Sequence, residues 1–197
     1  MKRRDAIKNT ALLMGYAVSA SAIAGLMSGC QADTKTPADV WKPKAMSDTQ
    51  FNTLREAAER ILPATEDMVG AKDVMVERFV DEMLDGAYEP AEIASFKQGL
   101  DDLEAAAQAA HNNTFAKLKP TEMDALITKI GEAAMAVKDE ENEIEPFFFA
   151  LKEATLLGFF TSEKVGEEVL NYLPIPGGYQ GDVPMSEIPQ GGRAWSF

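Results

Sequence analysis

Residues 147–160 read FFFALKEATLLGFF, and this stretch decides the fold. Between positions 145 and 158 the only polar side chains are Glu145, Lys152, Glu153 and Thr155, so apolar surface runs most of the way round the helix that this composition predicts. Such a helix lies inside a core or an interface and is the expected centre of the molecule. The chain before it reads as helices that supply that core. Ser47 and Gln50 make a capping box, after which Phe51, Leu54, Ala58 and Ile61 recur on one face until Pro63. A second helix, about Lys72 to Leu84, presents Val76, Phe79, Val80, Met83 and Leu84 and ends at Gly86. Pro90 opens a third, with Ile93, Phe96, Leu100, Leu103, Ala107 and Ala110 on one stripe. Pro120 opens a fourth, with Met123, Leu126, Ile127, Ile130, Ala134 and Val137 inward. No alternating strand pattern occurs. The expectation is an all-α helical bundle of about five helices over residues 47–171, followed by a long irregular carboxyl-terminal tail at 172–197.

The tail has no period of 3.6 or of 2, and Pro174, Pro176, Pro184 and Pro189 with five glycines exclude regular structure. Its Tyr172, Ile175, Tyr179, Val183, Met185, Trp195 and Phe197 are too apolar for a solvated linker. Ordering such a stretch costs at least ~1 kcal/mol per residue, which at ~25 cal/mol per Å² needs roughly 1,000 Å² of buried apolar surface. Its four aromatics supply about 600–1,000 Å². The tail therefore needs a surface to lie on, either its own bundle or a partner.

The order Leu151-Lys152-Glu153, Leu156-Leu157-Gly158, Phe160-Thr161-Ser162-Glu163, then Tyr172, Pro174, Pro176-Gly177, Tyr179, Gly181, Pro184 and Gly192-Arg193-Ala194-Trp195 resembles the gluconate 2-dehydrogenase subunit 3 family. Ile61-Leu62-Pro63-Ala64-Thr65 and Gly70-Ala71 carry the same resemblance, and Phe159 departs from it by standing where the family has tyrosine. The family is the small, flavin-free subunit of membrane-associated sugar and gluconate dehydrogenases. The resemblance implies a large FAD-dependent dehydrogenase subunit as partner, FAD in that partner and no cofactor in this chain, and leaves room for a cytochrome c subunit. On this reading the tail and the apolar helix hold the partner, with Phe159, Phe160, Tyr172, Tyr179 and Trp195 as candidate anchors.

Residues 1–30 read as a targeting segment. Arg3 and Arg4, flanked by Lys2 and Lys8, precede a charge-free run from Asn9 to Ala32, a pattern close to a twin-arginine export signal. Met27-Ser28-Gly29-Cys30 looks like a lipobox that makes Cys30 the lipid-modified first residue, and residues 31–46 then form a tether. The rival is an uncleaved membrane span of about 17–25 residues. The low mean hydropathy of the stretch and the small residues at 28 and 29 favour export and lipidation. The expected location is the periplasm or cell envelope, on the membrane through a lipid anchor.

Setting aside Lys2, Arg3, Arg4, Lys8 and Asp5 leaves 15 basic against 31 acidic residues, a net charge of −16 for residues 30–197. That balance excludes nucleic acid as a natural partner. A single cysteine rules out an intrachain disulfide, a cysteine-held iron–sulfur cluster and c-type haem attachment. His111 is the only histidine; it has no Cys, His or carboxylate three or four residues away and reads as the basic end of the third helix. Gly177-Gly178-Tyr179-Gln180-Gly181 follows no strand and opens no helix, so it reads as turn chemistry. Ser162 lacks a nucleophile elbow, and Thr161 or Ser162 more simply caps a short helix through Val165 and Val169. The acidic run from Asp139 to Glu145 reads as a solvated helix start. No catalytic or metal-binding residue is identified. Two functions remain: the non-catalytic subunit the resemblance implies, or a free-standing helical envelope lipoprotein acting as adaptor or ligand-binding module.

Overall fold

A computed structural model describes residues 41–138, 145–172, 178, 182–188 and 193. The fold is that of the unit Lys42–Phe197. Arg3, Arg4 and Cys30 of the expected export segment lie outside the described residues, as do Asp139, Glu140, Glu141 and Glu143 of the acidic run and Tyr179 and Trp195 of the tail.

Among the described residues there are five α-helices: α1 (Asp48–Ile61), α2 (Val76–Gly86), α3 (Pro90–His111), α4 (Pro120–Ala136) and α5 (Phe147–Phe160). Short 3-10 turns occupy Ala71–Val74, Phe115–Lys117 and Met185–Glu187, a π turn occupies Val165–Val169, and no strand occurs among the described residues. The expected all-α bundle is found, and local chemistry sets most of its boundaries. Ser47 Oγ accepts from the Gln50 amide at 3.2 Å while Gln50 Oε1 accepts from the Ser47 amide at 3.0 Å, closing the capping box of α1. At α3 and α4 a glutamate two residues after the proline reaches back to the residue before it. Glu92 accepts from the Glu89 amide and Glu122 from the Lys119 amide, both at 2.9 Å.

Two expectations about the helices need correction. The second helix does not run from Lys72, because Met75 takes a left-handed conformation at φ 54° and ψ 45° and separates the turn Ala71–Val74 from α2. Ala110 is exposed rather than part of the inward stripe of α3, since it stands in the last turn, beyond the neighbouring helices.

α1 and α5 each pack on the other four helices, so the core lies between them. Leu54, Ala57, Leu100, Leu151 and Phe115 are fully enclosed there. Each leucine contributes about 1.5–3 kcal/mol by leaving water. The close approach of α5 to α3 depends on Gly99, where a Cβ would stand 2.1 Å from Cγ of Phe147. Gly158 does the same on the other side, where a Cβ would meet Phe79 at 2.7 Å. Polar pairs fix α1 in place: Gln50 Nε2 donates to Asp101 at 2.9 Å, Thr53 to Glu104 at 3.0 Å, and Arg60 makes a two-point contact with Asp124 at 2.6 and 3.2 Å. The bundle also starts earlier than Ser47. Asp81, wholly buried, accepts from the Lys44 and Ala45 amides, Lys97 Nζ donates to the Ala45 carbonyl, and Met46 is buried. The last residues of the expected tether thus belong to the fold.

Candidate functional site

The helix that is apolar all round is covered on one side only. Leu151, Ala154, Thr155, Gly158 and Phe159 of α5 are buried, and the one hydroxyl among them is satisfied because Thr155 Oγ1 donates to the Leu151 carbonyl at 2.7 Å. On the opposite side Phe149, Lys152, Glu153, Leu156 and Leu157 line, with Glu145, a shallow groove of about 480 Å³. The spacing 149, 156, 157, 160 places the apolar positions Phe149, Leu156, Leu157 and Phe160 in a stripe on one side of α5, with Lys152 and Glu153 beside them. Leu157 is 43% exposed and Phe160 37%.

The end of α5 turns this stripe into a second groove. Thr161 Oγ1 donates to the Leu157 carbonyl at 2.6 Å and Ser162 Oγ to the Phe159 carbonyl at 2.7 Å, so both hydroxyls are satisfied at the helix end by carbonyls that also accept the Thr161 and Ser162 backbone amides. Ser162 also accepts, weakly at 3.4 Å, from the Val165 amide and so starts the π turn as its capping role requires. Phe160, Thr161, Ser162, Glu163, Glu167 and Tyr172 then line, with Gly166, a groove of about 290 Å³. Tyr172 is 50% exposed.

Of the five expected anchors, Phe160 and Tyr172 meet in this groove, whereas Tyr179 and Trp195 lie outside the described residues. Phe159 is a correction: it is 0% exposed, edge-on to Phe160 with ring centroids 5.2 Å apart, and supports the surface from beneath. A phenyl ring brings no hydroxyl needing a partner into that position, which suits phenylalanine here. Sequence reasoning passed over Phe149, Leu156 and Leu157, because a helix without amphipathicity gives no sign of which side faces out.

Charge surrounds the stripe. Burial raises the proton affinity of the Glu145 carboxyl, and neighbouring Glu153 adds to it. The same environment, with burial first and then Glu153, Glu92 and Glu145, pushes the Tyr88 phenol up. Beyond the π turn a clasp fixes one point of the tail. The buried Asn171 side-chain amide donates to the Arg193 carbonyl, and the Arg193 guanidinium reaches the carbonyls of Glu168 and Val169 at 3.4 and 3.3 Å. The signal for it was available, since Arg193 is the only cation of residues 172–197.

Other places offer less chemistry. His111 Nδ1 lies 3.9 Å from Glu122, a carboxylate the fold brings from the start of α4, which already caps the Lys119 amide. No group of three or more His, Cys, Asp or Glu side chains suited to a metal occurs among the described residues. Glu77 is buried, 3.6 Å from Arg55 Nε through one oxygen, while its other oxygen has no hydrogen-bond partner. Burial pushes this carboxyl up, and the half-exposed Arg55 guanidinium does not offset it. A third cleft of about 330 Å³, lined by Leu103, Ile130, Ala134, Phe147 and Phe148 among others, is mostly apolar, with Asp102 at its wall. No described helix is long and apolar enough to cross a membrane.

Neither a curated protein nor a solved structure matches the chain. A family model, gluconate 2-dehydrogenase subunit 3, matches residues 48–177, which takes in α1 to α5, the π turn and Tyr172. The tail positions Tyr179, Gly181, Pro184 and Gly192 to Trp195 fall beyond the matched range. Helices, grooves and the matched span coincide, and on that match the chain belongs to the gluconate 2-dehydrogenase subunit 3 family.

Proposed function

We propose that the chain is the non-catalytic small subunit of a flavin-dependent sugar, sugar-acid or polyol dehydrogenase, and that it assists export, maturation and membrane attachment of the FAD-bearing large subunit. Membership of a family of dehydrogenase subunits supports the class of partner. The observation that carries the reading is the outer side of α5, where Leu157 and Phe160 are exposed and Phe149 and Leu156 half-buried, with Lys152 and Glu153 exposed among them. A patch of this kind on a soluble bundle marks a place where another molecule sits. Flavin binding of the usual dinucleotide type needs a glycine-rich strand–turn–helix to cradle the pyrophosphate. FAD would sit in the large subunit, as the family implies, and no step is routed through it here. Arg3 and Arg4 would direct export of the pair, and Cys30 would anchor it in the envelope. A cytochrome c subunit would complete the electron path.

Purification of the tagged chain from its native host in mild detergent is expected to bring down a larger flavoprotein at fixed stoichiometry. Replacing Arg3 and Arg4 by lysine is expected to leave both proteins in the cytoplasm. Recovery of the chain alone would favour the second reading, a free-standing helical lipoprotein, for which the exposed stripe would serve as an adaptor surface.

A further inference from the structure

We infer that the outer stripe of α5, Phe149, Leu156, Leu157 and Phe160 together with Tyr172, docks an apolar segment of the large dehydrogenase subunit that is flanked by lysine or arginine. The inference rests on the proposed function for the identity of the partner, and on the surface itself for the chemistry. The stripe is rimmed by Glu145 and Glu153 along the first groove and by Glu163 and Glu167 along the second, against Lys152 in the same lining. Apolar anchors fill such a groove, and cations at its edges meet carboxylates that otherwise repel one another. The repulsion is already felt at Glu145, whose proton affinity is raised by burial and by Glu153.

Two other occupants are disfavoured by charge. A second copy would form an isologous contact, setting the same glutamate rims, and two chains of net charge −13, face to face. The chain's own tail has one cation between residues 172 and 197, Arg193, and its guanidinium is engaged by the carbonyls of Glu168 and Val169. The cations must come from a different chain.

The test uses the full chain and the purified FAD-bearing large subunit. Leu157→Glu is expected to raise the Kd at least tenfold while the free variant keeps its helicity, because Leu157 is already half in water. Glu153→Lys and Glu163→Lys are expected to weaken binding most at low salt and to flatten its salt dependence. In a Cys30→Ser background, Leu157→Cys should react with a maleimide in the free chain and be protected in the complex. That footprint decides the matter even if Leu157→Glu fails to fold. Unchanged affinity of Leu157→Glu, or tighter binding by the lysine variants, overturns the site while the proposed function stands. Protection of Leu157→Cys in the free chain assigns the stripe to the tail, and a free dimer that Leu157→Glu dissociates assigns it to self-association; either overturns the inference. A wild-type chain that does not bind the flavoprotein overturns the proposed function and this site with it.

Discussion

Glu77 sits at the start of α2 with one carboxylate oxygen unpaired in the interior, and that isolation has a measurable sign. Burial raises its proton affinity above the ordinary 4.5, more than a backbone hydrogen bond and then Arg55, Arg78 and Lys72 lower it. Below the unfolded value both folded and unfolded chains hold the proton. As pH rises past it the unfolded chain releases its proton first, so stability falls until the folded carboxyl has titrated and is level thereafter. Glutamine has the same shape and does not titrate. Glu77→Gln is therefore expected to gain stability relative to wild type as pH goes from about 4 to 7, read as a growing difference in urea midpoint. A constant difference across that range would mean that Arg55 holds the carboxylate charged in the fold. Single residues of this kind were poorly legible in the sequence. Glu77 follows Val76 in an amphipathic run where a glutamate reads as surface, and nothing local distinguishes Phe159 from Phe160 although one is enclosed and the other is not.

At the scale of elements the sequence was more informative, and the reason is that most boundaries here are set by neighbours in the chain. The capping box at Ser47 and the prolines at 90 and 120 with their back-reaching glutamates each act within four residues. At the break before α2, Asp73 accepts from the Gly70 amide at 2.8 Å and so starts the turn Ala71–Val74, but nothing nearby in the chain favours the left-handed Met75 that ends it. Methionine does not favour φ 54°, so the turn at Met75 is imposed by tertiary packing: Ala71 and Val76 are both fully buried, and the chain between them must fold back to seat both. A non-glycine residue in the left-handed region costs about 1–2 kcal/mol, whereas glycine there costs the unfolded chain about 0.4–1 kcal/mol in extra freedom. The difference favours glycine by about 0.5–1 kcal/mol, and the 41% exposed Met75 side chain gives up little packing. Met75→Gly is expected to raise the melting temperature by about 1–4 °C, while Met75→Val, β-branched at positive φ, is expected to lower it. If glycine lowers it as well, the methionine side chain holds the junction and the backbone strain is not what matters.

For the whole molecule the governing quantity is the excess of 31 acidic over 15 basic residues from position 30 onward. It acts oppositely on the fold and on its proposed docking. The ion pairs within the bundle, Lys44 with Glu82, Arg60 with Asp124 and Lys72 with Glu56, span 2.5–2.6 Å; the two partly buried ones, of Arg60 and Lys72, are worth about 0–1 kcal/mol each. Repulsion among the remaining carboxylates acts across the diameter of the domain. Raising ionic strength from 0.01 to 0.15 M shortens the screening length from about 30 to about 8 Å, a window that removes long-range repulsion and leaves contact pairs nearly intact. The free chain is therefore expected to gain about 1 kcal/mol, or about 2–4 °C in melting temperature, over that range. The complex is expected to weaken over the same range, because steering between a glutamate-rimmed stripe and a basic partner is lost as the field is screened. Calorimetry of the free chain and titration of the large subunit in matched buffers separate the two effects. A free chain destabilised by salt would mean that its charges are arranged as favourable pairs rather than as a net repulsive shell. The acidic surface would then serve the bundle itself, and the argument from charge for a basic partner would lose its support.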